Sequence, residues 1–321
     1  MEKGNEISRR GFLFAAAAAA ASAARGGGSS RKCEARLDPN RVAFIADEHI
    51  PLPMREQNYH TDKEYPWVVG TVKAHLAEIL ALDPLPAHLI SLGDMSRFFG
   101  EEREYEIFRE LLEPFYERGI QVTLAMGNHD IRSSFARSFP EAAAQSLVPG
   151  RYAYKVETPH ADFLVLDTLK EPARRGDHKG VSGHELGPEQ TAWAKKALRE
   201  LTKPTFVCAH HAMRECGLYR EIIEAPKAAG YLHGHDHMWR NYYVTSGYTL
   251  DARTMRCVGI GSLALSGDIG YAVMDIAPGQ ATLRMVAKDF YFPVKVPAER
   301  RPKVWDAILQ DRIGLKAVFP F

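Results

Sequence analysis

From Arg41 onward, short apolar runs alternate with longer stretches of helical periodicity, and several of the apolar runs stop at a carboxylate or an imidazole. Arg41–Asp47 (RVAFIAD) reads as a strand that ends on Asp47. Tyr65–Leu82 follows with Val68, Val72, Leu76, Ile79 and Leu80 on one helical face. His88–Gly93 (HLISLG) is a second strand that stops before Asp94. Glu101–Arg118 is amphipathic, with Phe108, Leu111, Leu112 and Phe115 inward. Gln121–Met126 is a third strand that runs into Gly127-Asn128-His129-Asp130. This βαβαβ order predicts parallel strands joined by right-handed crossovers.

The second half is richer in strands. Tyr152–Val156, Phe163–Asp167 and Thr205–Ala209 fit strands, with a helix over Pro188–Leu201 between the last two. Tyr231–His233 precedes another loop. Tyr242–Thr245, Arg256–Ile260, Tyr271–Ile276 and Thr282–Val286 look like a run of antiparallel strands. The fold class is therefore α/β, with two mixed β-sheets flanked by helices. The tail 288–321 is rich in proline and aromatic residues, and either packs on the domain or reaches a partner subunit in a homo-oligomer.

The first 37 residues read as targeting and linker rather than fold. Ser8-Arg9-Arg10-Gly11-Phe12-Leu13 and the alanine run after it resemble a twin-arginine export signal. The apolar stretch is shorter than the ~20 residues that a membrane span needs. The expected partner is the export machinery, and the expected location is periplasmic or secreted. That leaves 38–287 as the main domain and 288–321 as the tail.

With 321 residues, 45% hydrophobic, the chain carries enough apolar material for one large core. A formal net charge of +1 gives no basic stripe for nucleic acid. Cys33, Cys208, Cys216 and Cys257 show no paired metal-type spacing. Disulfide formation and buried free thiols at Cys208 and Cys257 both remain open.

Five clusters carry candidate chemistry, and each follows an apolar strand: Asp47-Glu48-His49, Gly93-Asp94, Gly127-Asn128-His129-Asp130, His210-His211 and Gly234-His235-Asp236-His237. The carboxyl ends of strands form the ligand crevice in open α/β sheets. Five segments distant in sequence can thus deliver oxygen and imidazole donors to one place.

In that order the clusters resemble the pattern of calcineurin-like metallophosphoesterases: Asp-x-His, Gly-Asp, Gly-Asn-His-Asp, a strand-end His, and Gly-His-x-His. The resemblance spans about Arg41 to Ala287 and implies a four-layer αββα fold with two metal ions, Mn, Fe, Zn or Co. It implies that Asp47, His49 and His237 hold one ion, that Asn128, His210 and His235 hold the other, and that Asp94 bridges them. His210 is taken over His211 because it comes first after the strand. The implied reaction is phosphate-ester hydrolysis by a metal-bridging hydroxide. His129 would act as general acid, and Asp130 would orient it by accepting its other N–H.

Within the superfamily, Leu186-Gly187-Pro188-Glu189-Gln190 ahead of Trp193, and the His-His pair, resemble the class III cyclic nucleotide phosphodiesterase and glycerophosphodiesterase branch. That branch usually carries His-His-Pro-Pro, whereas Ala212 and Met213 follow here. A phosphodiester or a small phosphomonoester is the expected substrate. An exported phosphatase and a non-catalytic binding scaffold are the alternatives. Arg55, Asn58 and His60, Arg97 and Arg132 are candidate substrate contacts, and His211 is a candidate for supporting the ligands.

Overall fold

The computed structural model describes residues 36–53, 65–97, 100–171, 184–248, 252–291 and 315–321. The paired arginines, Cys33, Arg55, Asn58 and His60 lie outside the described residues.

Six strands form the first sheet: β1 (Leu37–Ile45), β2 (Leu85–Ser91), β3 (Gln121–Leu124), β10 (Gly267–Ala277), β11 (Gln280–Tyr291) and β12 (Lys316–Pro320). Its order is β12-β11-β10-β1-β2-β3. The second sheet contains β4 (Tyr154–Glu157), β5 (Asp162–Val165), β6 (Thr205–Ala209), β7 (Ala228–His233), β8 (Arg240–Thr245) and β9 (Thr254–Gly259). Its order is β4-β5-β6-β7-β9-β8. The helices are α1 (Tyr65–Ile79), α2 (Glu102–Glu117), α3 (Arg132–Ser138), α4 (Pro140–Gln145), α5 (Gly187–Arg199) and α6 (Tyr219–Glu224).

β1 shows why the sheets stack in layers. Successive side chains leave a strand on opposite faces, and all of Val42, Ala43, Phe44 and Ile45 are fully buried. Ala43 and Ile45 join Val68, Val72, Leu76, Phe108 and Leu112 beneath α1 and α2. Val42 and Phe44 instead join Phe163, Phe206, Leu232 and Val258 from the second sheet. The rings of Phe44 and Phe163 meet with centroids 5.7 Å apart. On the far side, Leu164, Val207 and Tyr231 pack against Ala194, Leu198 and Ile222 of α5 and α6. Helices thus cover the outer faces of two facing mixed sheets.

β1, β2 and β3 are parallel, as the βαβαβ pattern requires. The four late strands do not form one antiparallel run. β8 and β9 belong to the second sheet, where β9 lies parallel to β7. β10 and β11 belong to the first, where β10 lies antiparallel to β1. The crossing segment is tied to the end of β1: Leu263 N–H donates to the Ala46 carbonyl at 2.8 Å, and Ser262 Oγ to the Asp47 carbonyl at 2.8 Å.

The boundary expected at Ala287 falls inside β11, which continues to Tyr291. β12 then adds an edge strand, and its Phe319, 1% exposed, sets its ring against Phe206 at 5.0 Å. Cys208, Cys216 and Cys257 are buried free thiols.

Candidate metal centre

The first, second and third cluster follow β1, β2 and β3, while the fourth and fifth follow β6 and β7. Both sheets end on the same side of the sandwich, so the strand ends converge. The local backbone is unusual at these positions. Asp47, His49, Asp94, His235 and His237 have φ of 52°, 46°, 60°, 69° and 54°. Non-glycine residues rarely enter the left-handed region, and among the described residues these five are the ones that do. Strain of this kind persists where the surrounding structure over-determines it, and it clusters at functional sites. Gly127 allows the second and third loops to touch, because a Cβ there would overlap the Asp94 carboxylate.

The structure brings all seven expected ligands together. His49 Nε2 lies 3.1 Å from His237 Nε2, and His237 Nε2 lies 3.3 Å from Asp47 Oδ1. In the other half, Asn128 Oδ1 is 2.9 Å from His210 Nε2 and 2.8 Å from His235 Nδ1. Asp94 stands between the halves: its Oδ2 is 3.7 Å from His49 Nε2 and 3.3 Å from His210 Nε2. Groups of three donors within 4.8 Å of one another include Asp47, His49 and His237, and Asp47, Asp94 and His210.

The donor chemistry fits cations. His210 Nδ1–H donates to the Leu92 carbonyl at 3.0 Å, and His49 Nδ1–H to the Ser96 carbonyl at 3.3 Å. A ring nitrogen held as donor leaves the other as a lone pair, so both Nε2 atoms face the centre as ligands. His237 Nδ1 is likewise engaged by Ser266 Oγ. Burial works against charge on Asp94, but His210, His129 and His49 outweigh it and hold the carboxyl well below its usual range. Asp47 is lowered too: burial opposes its charge, and His237 and His210 overcome that. Burial also opposes charge on His210, yet Asp94, Asp47 and Asp130 push its pKa up to about 9. Two buried carboxylates therefore draw positive charge into the centre, and a bound cation would take the His210 Nε2 lone pair in place of the proton they favour. Imidazole and carboxylate together suit borderline divalent metals.

Asp130 does not orient His129. Its Oδ2 accepts the backbone N–H of Asp94 at 3.0 Å and of Gly127 at 2.8 Å. Its Oδ1 accepts the Ser96 N–H at 3.1 Å and the Tyr105 hydroxyl at 3.1 Å. With four donors already aimed at it, the carboxylate clamps the second loop to the third. His129 Nδ1–H instead donates to the Arg97 carbonyl at 2.8 Å, while His129 N–H donates to Asp94 Oδ1 at 2.8 Å. The His129 ring stands edge-on to His49 at 4.8 Å.

Arg132 is no phosphate contact. It forms a two-pronged pair with Asp167, 2.7 Å on each arm, and donates to the Leu169 carbonyl. Gln190, from the segment that resembles the phosphodiesterase branch, seals the same spot by bonding both the N–H and the carbonyl of Asp167. His211 is buried beside the second half, with Nδ1 2.8 Å from Thr168 Oγ1 and its ring 4.9 Å from that of His235. Sequence reasoning missed Ser266 and the Leu92, Ser96 and Arg97 carbonyls. Backbone acceptors have no side-chain signature, and Ser266 precedes an ordinary glycine turn.

Comparison with known proteins bears on the family and the fold. The family model described as calcineurin-like phosphoesterase matches residues 40–239. No curated protein matches the sequence. A dimetal phosphatase from Danio rerio superposes with a TM-score of 0.56 at 12% identity, covering 77% of this chain and 96% of that one. A structure of PhoD gives 0.49 at 12% identity, over 79% of this chain and 67% of that one. A 5'-nucleotidase precursor from Thermus thermophilus gives 0.41 at 13%, over 76% and 50%. With a family match across 40–239, the chain belongs to the calcineurin-like phosphoesterase family and is a metal-dependent phosphoric ester hydrolase.

Proposed function

We propose that this chain hydrolyses phosphodiesters or small phosphomonoesters at a centre built for two cations. The observation that carries the reading is Asp94, whose Oδ2 faces His49 in one half and His210 in the other. Asp47, His49 and His237 would hold one ion, Asn128, His210 and His235 the second, and Asp94 both. Bound there, two cations supply water activation at neutral pH and charge stabilisation on the phosphoryl oxygens.

The chain's own residues do the rest. Asp94 would offset the charge of two neighbouring cations with its carboxylate, and Asn128 would add an oxygen without adding charge. The Arg97 carbonyl fixes the His129 ring through Nδ1–H, so Nε2 is the atom that passes a proton to the leaving oxygen. Asp130 keeps Asp94 and the Asn128-His129 turn in register.

The Leu186–Gln190 segment and the His210-His211 pair favour the class III phosphodiesterase branch. Ala212 and Met213, in place of a proline pair, favour a differently shaped leaving-group pocket. The Ser8–Leu13 motif favours twin-arginine export to the periplasm, a route suited to a protein that folds around metal before transport.

The test compares bis-p-nitrophenyl phosphate, p-nitrophenyl phosphate and single-stranded DNA after loading with Mn or Co. The expected result is turnover of the small esters, with DNA inert. Asp94→Asn and His129→Ala should each lower kcat by at least about 100-fold. Inertness after loading, or unchanged function in both variants, would contradict the reading in favour of a binding scaffold.

A further inference from the structure

An open cavity of about 480 Å³ lies beside the second half of the centre, lined by Ala212, Arg214, Asp236, Arg240, Asn241 and Tyr242. Its position follows from the chain. Ala212 comes directly after His210-His211, and Asp236 separates His235 from His237. Arg214 sits one turn beyond the first loop, in a 3-10 turn over Met213–Glu215. Arg240 opens β8, three residues after His237. The two loops that bring imidazoles to the centre therefore each place a guanidinium on one shared cavity.

The charges there do not cancel. Asp236 pairs with Arg240 at 3.3 Å, with the arginine side chain 53% exposed. Such an exposed pair is weak and exchangeable. Arg214 rests over the Tyr219 ring at 5.6 Å and makes no ion pair among the described residues. Glu215, its neighbour, uses one carboxylate oxygen to accept the Ala212 N–H at 3.2 Å and does not line the cavity. Among its lining residues the cavity thus holds two cationic forks against one carboxylate. Its floor is preset, because the Tyr242 hydroxyl is 3.0 Å from His233 Nε2 while His233 Nδ1–H donates to the Gly234 carbonyl. Alanine at 212 leaves the volume open. Arginine's planar fork suits the two oxygens of a carboxylate or phosphate.

Resting on the reading that ester hydrolysis occurs at this centre, we propose that Arg214 and Arg240 receive a second anionic group carried by the substrate. The preferred substrates are then phosphate esters that bear a second anionic group, a carboxylate or a phosphate, elsewhere in the molecule. The two arginines set specificity and take no part in the bond-breaking step.

The test uses the Mn-loaded full-length protein and non-hydrolysable probes. ω-Carboxyalkyl phosphonates of two to six methylenes are each compared with their ω-hydroxyl counterparts by calorimetry. At the best chain length, the carboxylate should bind at least about ten-fold tighter than the hydroxyl. In Arg214→Gln and in Arg240→Gln that ratio should fall below about three-fold, and in the double variant to about one. Arg118→Gln, which removes an exposed charge at the end of α2, should leave the ratio intact. A wild-type ratio near one, or a ratio that Arg118→Gln lowers as much as Arg214→Gln does, overturns the proposal alone. Absence of any phosphonate binding in the Mn-loaded wild type defeats the metal-centred reading and takes the proposal with it.

Discussion

Replacing Asp130 separates two roles for the same carboxylate. Asp130 is fully buried and accepts three backbone N–H groups and one hydroxyl. Asp130→Ala strands the N–H groups of Asp94, Ser96 and Gly127 away from water. Each buried donor left unpaired costs about 1–3 kcal/mol, which makes roughly 5 kcal/mol in all. That is a large part of the total stability of about 5–15 kcal/mol that a domain commonly has. Asp130→Asn is milder. Its amide oxygen can keep Asp94 and Gly127, but its NH₂ then faces the Ser96 N–H, at a cost of about 1–3 kcal/mol. Urea denaturation of the metal-loaded and chelator-treated protein measures the loss. Metal affinity should weaken in parallel, because the clamp sets Asp94 against Asn128. The response of kcat to leaving-group basicity should stay as in the wild type, since the Arg97 carbonyl holds His129. An Asp130→Asn variant with an unchanged denaturation midpoint, yet with low kcat and an altered leaving-group response, would refute this and restore Asp130 as the orienting group.

Arg132→Met should cost about 3–5 kcal/mol by leaving the fully buried Asp167 unpaired, with metal stoichiometry unchanged in elemental analysis. Glu104 is buried under Ser96 and the start of α2, and burial pushes its pKa up to about 7 against hydrogen bonds that lower it. Its folded pKa lies above the unfolded value of 4.5, so its neutral form is favoured on folding. Stability is full below 4.5 and declines as pH rises to about 7, by up to about 3 kcal/mol. Glu104→Gln should therefore match the wild type near pH 5 and exceed it near pH 8, read as the difference between two denaturation series. Phe319→Ala should cost about 3–5 kcal/mol in the same assay, since its ring fills space against Phe206.

The strand ends were legible because the signal is local. An apolar run closed by a carboxylate or imidazole marks both a buried strand and the place where it delivers a ligand. Thr205–Ala209 coincides with β6, and Tyr65 begins α1 as the periodicity requires. Sheet membership was not legible. β9 and β10 are both apolar strands close in sequence, and the hydrogen bonds of Ser262 and Leu263 to the end of β1 mark where the chain crosses. α3, α4 and α6 are too short for a periodic pattern to emerge. β12 lies far from its partner in sequence, with β-type residues too few to distinguish a strand from a tail.

At the site, residue types revealed which side chains meet but not what holds them. The Gly-Asn-His-Asp turn suggested an Asp–His pair from adjacency alone. In three dimensions Asp130 points back into the protein, toward donors on the preceding loop, and a carbonyl contributed by Arg97 takes its place. Arg132 looked available for phosphate because its partner Asp167 is distant in sequence. The left-handed conformations of Asp47, His49, Asp94, His235 and His237 leave no trace in composition, since none is glycine.

The most direct measurement is anomalous X-ray diffraction from crystals of the Mn-loaded protein. The account predicts two anomalous peaks per chain, one among Asp47, His49 and His237 and one among Asn128, His210 and His235, with Asp94 touching both. Peaks elsewhere, or none at this cluster under saturating metal, would contradict it.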